Sequence, residues 1–338
     1  MLREVEVAII GGGFAGCATA WALAARGVSA VVLEREPDLG RQASGRGAGL
    51  GRQLAEDDAT SALVIRGAAL LRERFADAWS ATGGILSFDD PQQAQTYISR
   101  ARRLAVAHQV IDRARVVARW PILAEVPIAA AVLVERDGVI DIRRLLAGYA
   151  RDLDIVHAEV TAIAEGRLET TRGSVTAKVV VDAAGAWSGI VAGDPPLESL
   201  KRHLFVVESP LAPGASAPFV WHLGGGELYV RADAGGTLAS PCDAEPTEPI
   251  DQVASPDADA RLHARFGAAF ADAAITRRWA CQRAFTADRQ MRIGRDPRRP
   301  WLVWAAGLGG HGATASAAVG ELAATAVIEA LASAPRSP

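Results

Sequence analysis

Ten residues into the chain, Gly11-x-Gly13-x-x-Gly16 follows a short apolar run and opens a helical pattern. The run, Val5 to Ile10, does not alternate, which is the signature of a strand buried on both faces. After the glycines, Phe14, Cys17, Ala18, Trp21, Ala22 and Ala25 fall on one helix face, and Gly27 ends the helix. Ala30 to Leu33 reads as a second strand, closed by Glu34. This is a complete βαβ opening. Gly11 permits the tight turn, Gly13 lets backbone approach a pyrophosphate, and Gly16 permits close helix–strand packing. The helix N-terminus then offers free N–H groups and a positive dipole to phosphate. Glu34 is placed to accept hydrogen bonds from a ribose. The alternative, a glycine-rich turn that binds nothing, explains poorly why a strand, turn, helix, second strand and terminal acid coincide.

The rest of the chain narrows the class. It has 338 residues, half of them hydrophobic, enough for two domains and a sizeable core. A net charge of -3 gives no reason to expect nucleic acid or an anionic membrane as partner. The three cysteines, Cys17, Cys242 and Cys281, are widely spaced and in no metal-ligand pattern. No disulfide framework and no metal site are expected, and a reducing, cytoplasmic setting fits. Met1 to Glu6 is no secretory signal, and no run of about 18 apolar residues predicts a membrane span. Nothing selects an oligomeric state.

Farther along, residues 41–51 are rich in Gly, Ser and Arg and read as a loop shaped around a ligand. Residues 60–79 and 99–119 read as helices, Val126 to Glu135 as a strand, and Asp141 as the cap of a helix to about Arg151. Val175 to Ala183 is a second buried strand running into Ala184-Gly185-Ala186-Trp187. Leu204–Glu208, Phe219–Leu223, Glu227–Ala232 and Gly236–Ser240 suggest antiparallel strands, and a helix lies near 260–270. Trp301 to Ala305 is a last buried strand, followed by a glycine loop, Gly307 to Gly312, and a long Ala-rich helix from about Thr314 to Leu331. The extreme N-terminal fingerprint and the late return of nucleotide-type segments favour FAD over NAD. The last helix would aim its N-terminal dipole at the ring.

Together, Gly11 to Glu34, Ser44-Gly45-Arg46, Asp182 to Trp187 and the segment Arg283 to Gly320 resemble the D-amino-acid oxidase superfamily of FAD enzymes. Within it, Lys201-Arg202, Leu228 to Arg231, Trp279 to Asp288 and Gly309 to Gly312 are most similar to the D-arginine dehydrogenases. The resemblance implies an α/β fold. A Rossmann-type FAD-binding domain would be assembled from residues 1–50, 145–195 and 285–338. A second substrate domain, 51–144 and 196–284, would be built on a mixed or antiparallel sheet.

It also implies roles. FAD would contact Gly11, Gly13, Phe14, Ala15, Gly16, Glu34, Arg35, Ser44, Gly45, Arg46, Ala184, Gly185 and Trp187. The glycine loop Gly309, Gly310, His311, Gly312 with Ala313 and Thr314 would complete its contacts. Arg283 and Tyr229 would hold a substrate carboxylate, a match of guanidinium fork to carboxylate. Arg202 is a further active-site candidate, and His311 could touch ring or substrate. The structural alternatives are a surface ion pair for Arg283, a core tyrosine for Tyr229, a solvated Arg202 and an outward-facing His311. Relatives link FAD covalently through a Cys near the last glycine loop or a His in the N-terminal region. Neither is present here, so FAD is expected to be non-covalent. Leu50 to Ala55 lacks the His and Tyr of the dehydrogenases, which argues against arginine itself.

The expected chemistry is oxidation of the carbon–nitrogen bond of a small D-amino acid, glycine or N-methyl amino acid. Oxygen or another acceptor would reoxidise the flavin. The alternatives are an FAD-dependent 2-hydroxy-acid dehydrogenase, with His311 as base, an FAD enzyme acting on an amino-acid unit of a larger molecule, and a protein that keeps flavin for structure only.

Overall fold

The computed structural model describes residues 3–194, 197–208, 213–270 and 273–333. The outer ends of the expected segments, at residues 1–2, 195–196 and 334–338, lie outside them.

The first strand, Arg3–Ile10, is the centre of an eight-stranded sheet. It runs parallel to Ala30–Glu34 on one side and to Gly173–Asp182 on the other. Asp154–His157 extends the sheet past Ala30–Glu34, and Leu302–Ala306 pairs parallel with Gly173–Asp182. The absence of alternation in the sequence has a direct cause: both faces are covered. Val7, Ile9, Val32, Val179, Val181 and Val303 face one core, made with the helices Phe14–Ala24 and Gly312–Ser333. Ala8, Ile10, Val31, Leu33, Val180 and Leu302 face the other, with Val160 and Leu168. The period of two is thus present, but it sorts residues between two cores rather than between core and water.

The helix Phe14–Ala24 is likewise buried on more than the one face its spacing predicts. Ala15, Ala20 and Leu23 belong to the first core, and Phe14, Cys17 and Ala18 to another. Small residues permit this. A Cβ on Gly16 would overlap the Gly11 carbonyl oxygen, and one on Gly320 would overlap the Ala18 carbonyl. By length and composition alone, Gly312–Ser333 could cross a membrane, although its apolar run is interrupted; 61% of its most apolar window is buried. Its apolarity therefore serves the core.

The second sheet has nine strands and is mixed. Glu198–Glu208 pairs along its length with Ala274–Phe285 and then with Gly236–Ser240. The sheet continues through Leu228–Asp233 and Phe219–Leu223, which lies parallel to Gly84–Phe88. Here alternation builds the site. Phe205, Val207, Val220, Leu228 and Val230 enter a core with Trp120, Leu262 and Phe266. The intervening Arg202, Trp221, Tyr229, Cys281 and Arg283 line the cavity beside the first sheet.

Several expectations are corrected. The helix expected over 99–119 is two helices, Pro91–Arg103 and Arg113–Arg119, with strand Gln109–Ile111 between them. Asp90 and Asp112 each cap a helix start, and Ala105 takes a positive φ of 55° that ends the first. The helix expected at 60–79 spans Asp58–Arg74, started by the Asp57 side chain. The strand expected at 126–135 is Ala130–Val134. The 41–51 loop contains a short helix, Ala43–Arg46, and a two-residue strand, Leu50–Gly51.

Two predictions follow from local packing. At Gly13 a Cβ would meet only the Ser44 hydroxyl, at 2.9 Å, whereas at Gly16 it meets backbone. Gly16→Ala should therefore lower the melting temperature more than Gly13→Ala, by an overpacking cost of about 1–3 kcal/mol; equal effects would contradict this. Asp137 is fully buried, and its Oδ1 accepts hydrogen bonds from the backbone and side-chain N–H groups of Gln53. Burial pushes its carboxyl up from 3.8 to about 7 against those hydrogen bonds. The folded state thus binds a proton that the unfolded state releases, so this group's contribution is full below the ordinary carboxylate pKa and falls as pH rises through about 7. Melting curves should show wild type losing stability relative to Asp137→Asn across that window. Parallel pH profiles would contradict the assignment.

Candidate active site

A long cavity runs between the two sheets, from the end of Ala30–Glu34 to the face carrying Arg283. At its first end, Gly11 takes a φ of 102°, and a Cβ there would lie 2.6 Å from the Ala183 carbonyl oxygen. Only glycine brings the first strand's turn this close to the end of Gly173–Asp182. The Phe14 amide, at the helix start, donates to Ser44 Oγ at 2.9 Å. Glu34 is buried; its carboxylate accepts from the Gly12 amide at 2.6 Å and from the Glu36 amide at 2.8 Å. Arg35 stacks over the Trp187 ring at 3.9 Å, and both border the cavity.

In the middle of the cavity the glycine loop after Leu302–Ala306 crosses beneath the second sheet. Gly307, Gly309 and Gly310 all have positive φ. A Cβ on Gly309 would press on the Phe285 ring, and one on Gly310 would lie 3.1 Å from Arg283 Cδ. The long helix starts at Gly312, so its N-terminal amides open on the same space.

At the far end stand the three other side chains expected from sequence. Tyr229 is buried, its ring 5.3 Å from that of Trp221; burial pushes its phenol above the ordinary range. Arg202 is buried and donates to the carbonyls of Cys242 and Asp243, at 3.0 and 3.3 Å. Arg283 Nε is buried with no hydrogen-bond acceptor among the described residues. Burial, reinforced by the Arg202 guanidinium, pulls the Arg283 pKa below its ordinary value. Arg202 also lies 3.9 Å from Glu227, so of the two guanidiniums it is Arg283 whose Nε is left without an acceptor.

His311 is buried, with Nε2 2.9 Å from Glu56 Oε2. Glu56 also accepts from Arg52 Nη2 at 2.6 Å. Although desolvation opposes ionisation, Arg52 and His311 hold the Glu56 carboxyl well below the usual carboxylate range.

The structure brings most of the sequence-predicted residues to one cavity. Gly11, Gly13, Phe14, Ala15, Glu34, Arg35, Ser44, Ala184, Gly185, Trp187, Gly309, Gly310, His311, Gly312 and Ala313 line it, with Arg202, Tyr229 and Arg283. Four do not. Gly16 is consumed by packing against Gly11. Gly45 and Arg46 border a neighbouring groove instead; Arg46 turns to Asp251 and to the Gln252 carbonyl, 2.7 Å away. Thr314 is buried and donates to the Leu50 carbonyl at 3.1 Å. Arg52, Glu56 and Trp221 escaped the sequence reading as site residues. Arg52 and Glu56 are four apart, a spacing that suits an ion pair but carries no sign that Arg52 borders a cavity.

The arrangement fits FAD: a fingerprint turn and helix start, an acid at the second strand's end, a glycine loop, and a second helix start share one elongated space. Solved structures support this fold. The chain superposes on L-proline dehydrogenase from P. horikoshii with a TM-score of 0.87 at 23% identity, covering 97% of this chain and 94% of that one. Glycine oxidase from Geobacillus kaustophilus gives a TM-score of 0.81 at 25% identity, covering 97% and 95%. Among curated proteins, the tRNA 5-methylaminomethyl-2-thiouridine biosynthesis bifunctional protein MnmC of Methylibium petroleiphilum is 42% identical over 81 residues, 24% of this chain and 12% of that protein. The Stutzerimonas stutzeri protein of the same name is 36% identical over 116 residues, 32% of this chain and 18% of its own length. The chain thus matches only a small part of these relatives. The model of the DAO family, described as FAD dependent oxidoreductase, matches residues 6–326. Covering nearly the whole chain, that match shows that the protein belongs to the DAO family of FAD-dependent oxidoreductases, with FAD as its cofactor.

Proposed function

We propose that the protein oxidises the carbon–nitrogen bond of a small amino acid: a D-amino acid, glycine or an N-methyl amino acid. The observation that carries this is Arg283, a half-buried side chain whose Nε is buried without an acceptor among the described residues, on the cavity wall with Tyr229 and Arg202. Residues 1–50, 145–195 and 285–338 would form the FAD-binding domain, and 51–144 and 196–284 the substrate domain. FAD would be held without a covalent bond, since Cys17, Cys242 and Cys281 are all buried and burial raises each thiol.

FAD, when bound, supplies the acceptor for two electrons and the substrate α-hydrogen. The chain's residues do the rest. Arg283 fixes both carboxylate oxygens through its planar fork. Tyr229, kept protonated by burial, donates a hydrogen bond to one of them. Arg202, anchored to backbone carbonyls, supplies positive charge behind Arg283. Held at one end, the substrate keeps its α-C–H in a fixed orientation. The low-dielectric wall favours the neutral amine, whose lone pair drives the electrons out. The imine product hydrolyses in water, and oxygen or another acceptor takes the electrons.

The likeness to proteins named for tRNA 5-methylaminomethyl-2-thiouridine biosynthesis favours a second reading, in which the amine substrate is a unit of a larger molecule. The carboxylate anchor would serve either substrate.

Acid or heat precipitation should release intact FAD into the supernatant; yellow colour retained by the precipitate would contradict non-covalent binding. Arg283→Lys should weaken substrate capture while FAD stays bound, because Lys keeps charge but loses the fork. Loss of one charge-assisted hydrogen bond is worth about 1.5–3 kcal/mol, or roughly 10- to 150-fold in apparent affinity. If benzoate perturbs the wild-type flavin spectrum, it should fail to do so in Arg283→Ala. Wild-type affinity and flavin reduction in both variants would remove Arg283 as the anchor.

A further inference from the structure

Arg52 is unused by this mechanism. It lines the cavity, is 2% exposed, and leaves Nη1 buried with no hydrogen-bond partner among the described residues. We infer that Arg52 binds a second carboxylate on the substrate, so that the site selects amino acids bearing two carboxylates. This inference rests on the proposed oxidation of amino acids and deepens it.

Two observations carry it. First, the Arg52 guanidinium is fixed in place. Its Cζ lies 4.0 Å from the Trp221 ring centroid, and Nη2 is bonded to Glu56. Trp221 is itself held by its Nε1–H on Glu227 at 2.8 Å. A guanidinium needed only to pair Glu56 need not be buried, because the Glu56 side chain is 55% exposed. Burial of Arg52 with an unused donor is costly unless an acceptor arrives from the cavity.

Second, Arg52 and Arg283 are separate donor sets carried by different elements. Arg283 lies on Ala274–Phe285 of the large sheet, and its strongest cationic neighbour is Arg202. Arg52 follows the two-residue strand Leu50–Gly51. Arg202, whose own donors go to backbone carbonyls, sits 5.8 Å from the same Trp221 ring that Arg52 stacks on. One substrate carboxylate satisfies Arg283; the Arg52 Nη1 donors remain.

The test uses FAD-loaded protein and pairs of compounds that differ only in the second carboxylate: aspartate against asparagine, glutamate against glutamine in both enantiomers, and iminodiacetate against its monoamide. Anaerobic flavin bleaching gives apparent affinities for substrates. Flavin spectral shifts with succinate against succinamate give affinity without turnover. In wild type, the dicarboxylate member should be favoured by roughly 10- to 150-fold. In Arg52→Gln that ratio should collapse toward one, and Arg52→Lys should keep part of it, at unchanged FAD content. Equal affinities within the wild-type pairs, or a ratio that survives Arg52→Gln, would overturn the inference. If Arg52→Gln does not retain FAD, the wild-type ratio and Arg52→Lys decide. Bleaching by monocarboxylate amino acids without a dicarboxylate advantage sinks this inference alone; absence of bleaching by any amino acid sinks the proposed function with it.

Discussion

Everything in this molecule depends on backbone meeting backbone where side chains would normally intervene. Gly11 lies against the Ala183 carbonyl, Gly16 against the Gly11 carbonyl, and Gly320 against Ala18. These contacts draw the helix Phe14–Ala24, the end of Gly173–Asp182 and the helix Gly312–Ser333 to one point. As a result two helix N-termini, from opposite ends of the chain, open on the same cavity. Close packing thus gives the cavity two sets of free N-terminal helix amides, the electrostatics that suit an anionic cofactor.

The second sheet supplies the opposite kind of environment. Its alternation sends Phe205, Val207 and Val230 into a core and leaves Arg202, Tyr229 and Arg283 on the cavity wall. Strands hold these groups more rigidly than loops would. Burial then sets their character: Tyr229 stays a hydrogen-bond donor, and Arg283 has an unmet donor that favours an anion. Dry walls make each of these interactions stronger than it would be in water.

Much of the nucleotide end was legible in the sequence because its signal is local. Gly11 to Glu34 contains the strand, turn, helix and acid within one short stretch, and each residue's task follows from backbone geometry. Arg283 and Tyr229 were legible only through resemblance, since nothing in their own neighbourhoods says which cavity they face. Arg46 was placed at FAD by the resemblance of its loop, whereas long-range contacts with Asp251 and the Gln252 carbonyl turn its side chain to a neighbouring groove. The Arg52–Glu56–His311 cluster was illegible for the same reason. His311 joins residues more than 250 positions earlier, and no sequence period encodes that meeting. The split of 99–119 into two helices was hidden by continuous apolar spacing, although Asp112 carried the cap signal.

The central claim is that this cavity directs the electrons of an amino acid's carbon–nitrogen bond to FAD. The most direct measurement is anaerobic mixing of the FAD-loaded protein with D-, L- and N-methyl amino acids and with 2-hydroxy acids, following the flavin absorbance. The account predicts bleaching by at least one amino acid and none by the matching hydroxy acid. Bleaching by hydroxy acids alone, or by no member of the panel, would contradict it.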